Sequence, residues 1–375
     1  MIYADNAATT KLDINAFEAM KPYLFDEYGN ASQPYSFARI PKKALSYARV
    51  IIANCIGALP EEIYFTSGGT ESDNWAIKGS AFVDLDKRLT ITSAIEHHAI
   101  LHSCEAIEKL GYPVTYLSPD KSGTISPETL KEAITNETRF VSIMFSNNEI
   151  GTIEPIAELA RIAHMNGAYF HTDAVQAVGH VPIDVKALDI DMLSASAHKF
   201  NGPKGIGFLY IKKGIQINPF NDGGAQESGM RAGTENIASI MGMAKALGNN
   251  CDRIKENQAH IMELENVLIN RLKEVRLDFV RNGSENHVPG NISLSFYGAD
   301  GEALLHRLDL MGICVSTGSA CDSVNTQISH VLKAIMLDEK YAKGTIRISL
   351  GKENTLEEVN IIADALIKIL SRGLS

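Results

Sequence analysis

The sequence predicts an α/β fold: a large unit built on a mainly parallel seven-stranded sheet, followed by a smaller α+β unit. Three observations in its 375 residues carry this. From Ile63 to Ile211 seven short apolar segments, IYFTS, LTITS, VTYLS, FVSIMFS, AYFHTD, IDMLSAS and IGFLYI, have helix-like stretches between most of them. Strands alternating with helices pair in parallel and need cover on both faces. After Gly248 the texture changes to a long helical apolar period, and two later segments alternate with period two. The large unit is therefore placed at residues 15–252, with residues 1–14 and 253–375 forming an N-terminal arm and a small C-terminal domain.

In chain order, ADNAATT is short, polar and small, and reads as an arm packed across the protein or as a plain turn. TSGGTESDNWAIKG follows the Ile63–Phe65 segment and opens a helix with Trp75, Gly79 and Phe82 on one face. Strand-like Gly167–His171 places Asp173 at its carboxyl end, where open α/β sheets keep their ligands. Ile190–Leu193 and Gly207–Ile211 bracket a turn holding Ser196, His198 and Lys199. Ile254, Ile261, Leu264, Leu268 and Leu272 recur at helical spacing. Ile292, Leu294 and Phe296, then Ile346, Ile348 and Leu350, alternate as strands do, which turns Arg347 away from that core. Thr355 and Glu358 form a capping box for a last helix whose Val359, Ile362, Leu366 and Ile369 face inward.

Composition narrows the function classes. Hydrophobic residues make up 45% and charged residues 21%, as in ordinary globular proteins. The formal net charge of −10 and the lack of a basic block disfavour direct nucleic-acid binding. No apolar stretch approaches the roughly 20 residues of a membrane span, and nothing resembles a signal peptide, so a cytoplasmic location away from membranes is expected. Five scattered cysteines suit reduced thiols better than a disulfide framework.

Several clusters could carry chemistry. In SASAHKFNGPKGIG, glycines and apolar runs crowd Lys199, which favours an amine usable for a Schiff base; a surface turn capped by Lys199 is the alternative. Lys199 for an imine and Asp173 for a pyridinium nitrogen are the pair that pyridoxal phosphate requires. Gly68, Gly69 and Thr70 at a helix start could form a phosphate cup or an ordinary cap. His97 could stack on a cofactor ring and move protons, His98, His102 and Cys104 offer a metal alternative that no second cluster completes, and plain helix-surface or core histidines are a third reading; no metal is expected. Asn148 could donate to a ring oxygen or a substrate carboxylate, and Gln176 to the same ring oxygen; a turn and a polar helix surface are the plain readings. Cys321, in a Gly/Ser/Asp-rich loop, could be a nucleophile or an idle surface thiol.

Taken together, DNAATT, TSGGTESDN, EH, NNEIG, HTDAVQ, SASAHKFNGPKGIG, GMRAGTEN, STGSAC and IRISLG occur in the order found in group I (NifS/IscS-like) cysteine desulfurases, and the chain resembles that family over almost its whole length. The resemblance implies the fold of pyridoxal-phosphate-dependent enzymes of fold type I. It also implies conversion of L-cysteine to L-alanine, with sulfur passing to an enzyme persulfide and on to an acceptor protein for iron–sulfur clusters, thio-cofactors or tRNA. By position it assigns Lys199 as the cofactor lysine, Asp173 as the ring-nitrogen partner and His97 as the stacking residue. Gly69, Thr70, Ser196 and His198 become phosphate ligands, Asn148 and Gln176 cofactor contacts, Arg347 the carboxylate anchor and Cys321 the sulfur-accepting thiol. Thr234 matches a phosphate ligand lent by a second subunit, which implies a homodimer. Tyr35, Ala38 and Ser228 depart from the family pattern at positions it places near the substrate entrance or the acceptor-facing surface. Rival readings are a selenocysteine lyase or another enzyme of this fold, and a non-catalytic docking subunit of a sulfur-transfer pathway.

Overall fold

The computed structural model describes residues 1–83, 87–317 and 328–372. The chain opens with strand β1 (Ile2–Tyr3), then helices α1 (Ile14–Phe25) and α2 (Arg39–Ile56). The main alternation follows: β2 (Ile63–Thr66), α3 (Gly69–Ala81), β3 (Leu89–Ser93), α4 (His98–Glu108), β4 (Val114–Leu117), α5 (Pro127–Ala133), β5 (Thr138–Ser142), α6 (Ile156–Met165) and β6 (Tyr169–Asp173). Strands β7 (Met192–Ser196) and β8 (Gly207–Ile211) complete it. Helices α7 (Ile237–Cys251) and α8 (Ile254–Glu274) lead to β9 (Phe279–Asn282), β10 (Asn291–Phe296), α9 (Gly301–Asp309) and β11 (Ile313–Cys314). After residues 318–327 come α10 (His330–Ala334), α11 (Glu339–Ala342), β12 (Thr345–Ser349) and α12 (Leu356–Arg372).

The large sheet has seven strands in the order β2-β8-β7-β6-β5-β3-β4, and β8 runs antiparallel to both its neighbours. The other pairs are parallel, so the remaining strands all end at one edge. Burial on both faces follows directly from the alternation of side chains along a strand. Val141, Leu193, Phe208 and Tyr210 enter one core with residues of α2, α6 and α7, while Phe140, Met192, Leu209 and Ile211 enter another with α3 and α4.

Two strand boundaries differ from the sequence expectation. The strand expected at Gly167–His171 starts at Tyr169, because Gly167 has a left-handed φ of 69° in the turn after α6. The strand expected at Ile190–Leu193 runs on to Ser196, since β7 pairs residue for residue with β8 from Met192 opposite Ile211 to Ser196 opposite Gly207. Only then does a single 3₁₀ turn, Ala197–Lys199, present the lysine.

A second core lies around the antiparallel sheet β12-β10-β9 and joins Leu264, Leu268 and Leu272 of α8 to Val359, Ile362 and Leu366 of α12. Ile2 and Ala4 belong to it, and β1 pairs in parallel with β11, so the N-terminal arm is anchored in the late part of the chain. The capping box of α12 forms, with Glu358 N–H donating to Thr355 Oγ1 and Thr355 N–H to Glu358 Oε2.

Gly207 marks where the sheet meets the α3 loop. A Cβ there would lie 2.4 Å from Ala195 O and 2.8 Å from Gly68 Cα, both backbone atoms that cannot rotate aside. Gly207→Ala should therefore destabilise the chain by about 1–3 kcal/mol, read as a lower urea midpoint; an unchanged midpoint would show that this edge yields freely.

Candidate active site

The shared edge of the parallel strands places chemistry in one cleft of about 550 Å³. Each strand end sends a different group into it. After β2 come Gly68, Gly69 and Thr70; after β3, His97; after β5, Asn148; at the end of β6, Asp173 and Gln176; after β7, Ser196, His198 and Lys199. Arg347 of β12 enters from the second core. Tyr35, Ala38, Ser228 and Thr234 do not line this cleft; Thr234 is exposed and lines a small adjoining cleft that shares Ser67 and Gly205 with it. Cys321 lies outside the described residues.

Helix α3 begins at the cleft with Gly68 as its N-cap, without a side-chain cap. Its unsatisfied N–H groups and positive dipole end face an anion in such a position. The approach is close, since a Cβ on Gly69 would meet Val175 Cγ2 at 2.6 Å. Ser67 N–H donates to Glu71 Oε2, and Arg231 holds the same carboxylate through both Nε and Nη2, so the acid beside the cup is neutralised.

The arm closes the cleft. Lys199 Nζ donates to the carbonyls of Ala7 (2.5 Å) and Ala8 (2.9 Å), while its own carbonyl accepts from His180 Nε2 at 2.8 Å. Gln176 Nε2 also donates to Ala7 O. His198 Nδ1 sits 3.1 Å from Thr9 Oγ1. Arg347, on the face of β12 opposite Ile346 and Ile348 and buried there as well, donates to Asp5 Oδ1 (2.8 Å) and Asn148 O (3.0 Å). Its Nε is buried without a hydrogen-bond partner.

Electrostatics make the cleft unusual. His97 caps α4 by accepting the Ala99 N–H on Nδ1, which leaves the ring proton on Nε2. Burial, then the Lys199 ammonium, pull its pKa down to about 4, so the ring is neutral near pH 7. Burial pushes Asp173 up to about 6, although the Val175 N–H and the Lys199 charge oppose this. Beside it Asp73, fully buried on α3, is held well above the usual carboxylate range by burial and then by Asp173. Its Oδ1 has no hydrogen-bond partner, and the nearest ring nitrogen, Nε2 of His171, is 3.9 Å away. His171 is bracketed by Ser142 Oγ (2.9 Å) and Ser194 Oγ (3.0 Å), and burial lowers its pKa to about 3.

Two neighbouring carboxyl groups raised by burial, one with an orphaned oxygen, form a pocket floor that a cation would stabilise. A protonated heterocyclic nitrogen is such a cation. With the glycine cradle for a phosphate at one end and a primary amine at the mouth, the donor set fits pyridoxal phosphate. Towards the metal alternative, the His98 ring lies tilted near His102 (5.1 Å) and His330 (5.0 Å), and among the described residues no group of three or more His, Cys, Asp or Glu is arranged to hold an ion.

Sequence reasoning missed Asp73, His171, Glu96 and the Ala7–Ala8 carbonyls. A signal for Asp73 existed: Ser72, Asp73, Ala76, Ile77 and Ser80 share the buried face of α3, and an acid on such a stripe needs a reason. The carbonyls carry no signal, being backbone.

Comparison with known proteins gives concordant results. Residues 2–362 match the family model described as aminotransferase class-V. A curated relative, cysteine desulfurase IscS of Methanosarcina thermophila, is 47% identical over 372 residues, covering 99% of this chain and 92% of that protein. A solved NifS-like protein superposes with a TM-score of 0.93 at 37% identity, covering 99% of each chain. A structure described as SspA in complex with cysteine gives a TM-score of 0.84 at 37% identity, covering 95% of this chain and 100% of that one.

Glu96 adds a pH signature. Its Oε1 accepts from Ser93 Oγ (2.6 Å) and Met144 N–H (2.9 Å), Oε2 is unpartnered, and burial pushes its pKa up to about 8. The folded chain keeps a proton that the unfolded chain releases near pH 4.5, so this group's stabilisation falls as pH rises between those values and is flat above. Unfolding free energies from urea titrations should fall less steeply over that window in Glu96→Gln than in the wild type, by up to roughly 1.4 kcal/mol per pH unit. Parallel profiles would show that Glu96 is already ionised in the fold.

Proposed function

The chain belongs to the aminotransferase class-V family and is a cysteine desulfurase, and we propose that the cleft at the strand ends converts L-cysteine to L-alanine with pyridoxal phosphate bound, passing the sulfur to Cys321. The observation that carries the site assignment is the buried Asp73–Asp173 floor set opposite the Lys199 amine. Lys199, Asp173, His97, Gly69, Thr70, Ser196, His198, Asn148 and Gln176 hold the cofactor in this reading. The phosphate takes the N-terminus of α3 with Gly69, Thr70, Ser196 and His198, while Asp173 takes the ring nitrogen.

Pyridoxal phosphate supplies, when bound, a conjugated ring that accepts the electron pair released at the substrate Cα. The chain supplies the rest. Asp173 keeps a proton on the ring nitrogen, and the resulting positive charge beside it lowers its own pKa in return. Lys199 Nζ, released from the Ala7 and Ala8 carbonyls, takes the Cα proton and returns protons during turnover. His97, neutral with its proton on Nε2, stacks over the ring and moves a second proton. Arg347 and Asn148 orient the substrate carboxylate; the arm's Asp5 and the Asn148 carbonyl fix the guanidinium for this task. Cys321 attacks the substrate sulfur, the carbon–sulfur bond breaks, and the products are alanine and a Cys321 persulfide, with atoms and electrons balanced between one substrate and one thiol.

Thr234 serves the phosphate of a partner subunit in this reading, which agrees with its position outside its own chain's cleft. A homodimer is further supported by exposed apolar side chains near the amino end: Phe25 (73%), Tyr28 (70%), Ile14 (67%) and Tyr47 (60%). Among the described residues no helix is long and apolar enough to cross a membrane. We place the enzyme in the cytoplasm, where it hands sulfur to a scaffold protein for iron–sulfur clusters or to a sulfur carrier.

Pure protein with L-cysteine and a thiol reductant should form alanine and sulfide in equal amounts; unchanged cysteine would refute the activity. Lys199→Ala should lose the cofactor's visible absorption and nearly all turnover. Cys321→Ala should keep that absorption yet lose at least 100-fold in sulfur release, the scale expected when a nucleophile is removed. Wild-type release from the second variant would remove Cys321 from the reaction.

A further inference from the structure

The turn that carries Lys199 is held from outside the active-site cleft. A single 3₁₀ turn leaves its carbonyls without partners of its own, and three consecutive ones here find donors on three other segments. His198 O accepts from Thr10 N–H (2.9 Å) and Thr10 Oγ1 (2.8 Å), Lys199 O from His180 Nε2 (2.8 Å), and Phe200 O from Asn250 Nδ2 (2.8 Å). Of the three, the His180 bond is the one on the lysine's own residue.

The segment around His180 is fixed on both sides. His180 lies in the turns that follow Asp173, where its N–H donates to Ala177 O at 2.9 Å, and Gln258 Nε2 of α8 donates to His180 O at 2.9 Å. Gly179 before it has a left-handed φ of 79°, and a Cβ there would meet Phe200 Cβ at 2.9 Å, so the two turns touch. Donation to a carbonyl puts the ring proton on Nε2. Burial lowers the ring's pKa, opposed by the bond to Lys199 O and helped by the Lys352 and Lys199 charges, so the ring is neutral at pH 7. His180 does not line the active-site cleft; with Thr10, Asn201, Asn250 and Lys352 it lines a second cavity of about 520 Å³.

We propose that His180 is a positioning residue for Lys199: its Nε2–H fixes the lysine's peptide, and with it the place from which Nζ reaches the aldehyde of pyridoxal phosphate. This rests on the cofactor reading above. Lys199 Nζ, having given a proton to solvent, adds to the aldehyde carbon; a carbon–nitrogen double bond forms, water leaves, and nothing is oxidised or reduced. A tethered amine reacts at an effective concentration set by how narrowly it is held. Loss of the His180 donor widens that range. The phosphate cup at α3 makes no hydrogen bond to His180, and His198 in the lysine's turn keeps its own anchors on Thr9 and Thr10.

The test uses the full-length chain, freed of cofactor by hydroxylamine and dialysis, and mixes it with pyridoxal phosphate or, separately, with pyridoxamine phosphate, which has the same ring and phosphate but no aldehyde. Bond formation is followed by the visible absorption that Lys199→Ala lacks, and pyridoxamine phosphate binding by fluorescence titration. In His180→Leu the absorption should rise about tenfold more slowly at saturating cofactor, the scale of one lost hydrogen bond, while the Kd for pyridoxamine phosphate stays within about twofold of wild type. His180→Gln, whose Nε2 is again a donor, should restore the rate to within about threefold. A wild-type rate in His180→Leu overturns the proposal, as does an equal weakening of both compounds or a glutamine variant as slow as the leucine one. Where neither variant folds, nitrogen NMR of the wild-type chain with labelled histidine tests the bond directly: a His180 proton on Nε2 at pH 7 supports it, and a proton on Nδ1 overturns it. Wild-type protein that gains no visible absorption defeats the cofactor reading itself; absorption that appears at the wild-type rate in His180→Leu defeats this proposal alone.

Discussion

The burial of carboxyl groups at the carboxyl edge of the large sheet is the constraint on which the site depends. Asp173 ends β6 and Asp73 faces the same cleft from α3; burial raises both, and the Lys199 amine opposes the rise at Asp173 while Ser194 opposes it at Asp73. An acid buried without compensation takes up a proton rather than ionise. The floor of the cleft is thus a store of protons as much as of charge, and a bound cation changes its state. The parallel strands make this possible because they end together, so that groups far apart in sequence share one edge.

The amino-terminal arm is the second organising element. Asp5 fixes Arg347, the Ala7 and Ala8 carbonyls hold Lys199, Ala7 also takes Gln176, and Thr9 meets His198. Because Ile2 and Ala4 are buried in the second core, the arm ties that core to the lysine of the first. A motif made of small polar residues therefore acts mostly through its backbone. The same arm leaves Lys199 able to exchange neutral carbonyl partners for a substrate, at far smaller electrostatic cost than leaving a carboxylate.

Much of this was legible in the chain itself. Seven strand segments alternating with helices gave the sheet, because a strand buried on both faces is apolar throughout and its ends are punctuated by Ser, Gly and Asp. Lys199 and Asp173 stood out because each follows such a strand, and the period-two pattern around Arg347 correctly turned it from the Ile346 and Ile348 face. His97 was harder, since three histidines stand close together in EHHAILH and only the helix start at His98 decides that His97 is the cap. Asp73 stayed hidden within a motif whose glycines drew attention to a phosphate.

What the sequence determined by itself is the local grammar: periodicity, strand ends, glycine turns and the residue types that a Schiff-base chemistry uses. These are properties of neighbours along the chain. The tertiary structure alone decided that Asp73 and Asp173 line one cleft, that backbone carbonyls of the arm grip Lys199, and that Thr234 sits outside its own cleft. The physical reason is that burial and charge coupling depend on distance through space in a medium of low polarity, and no spacing along a chain encodes that distance until the core has packed.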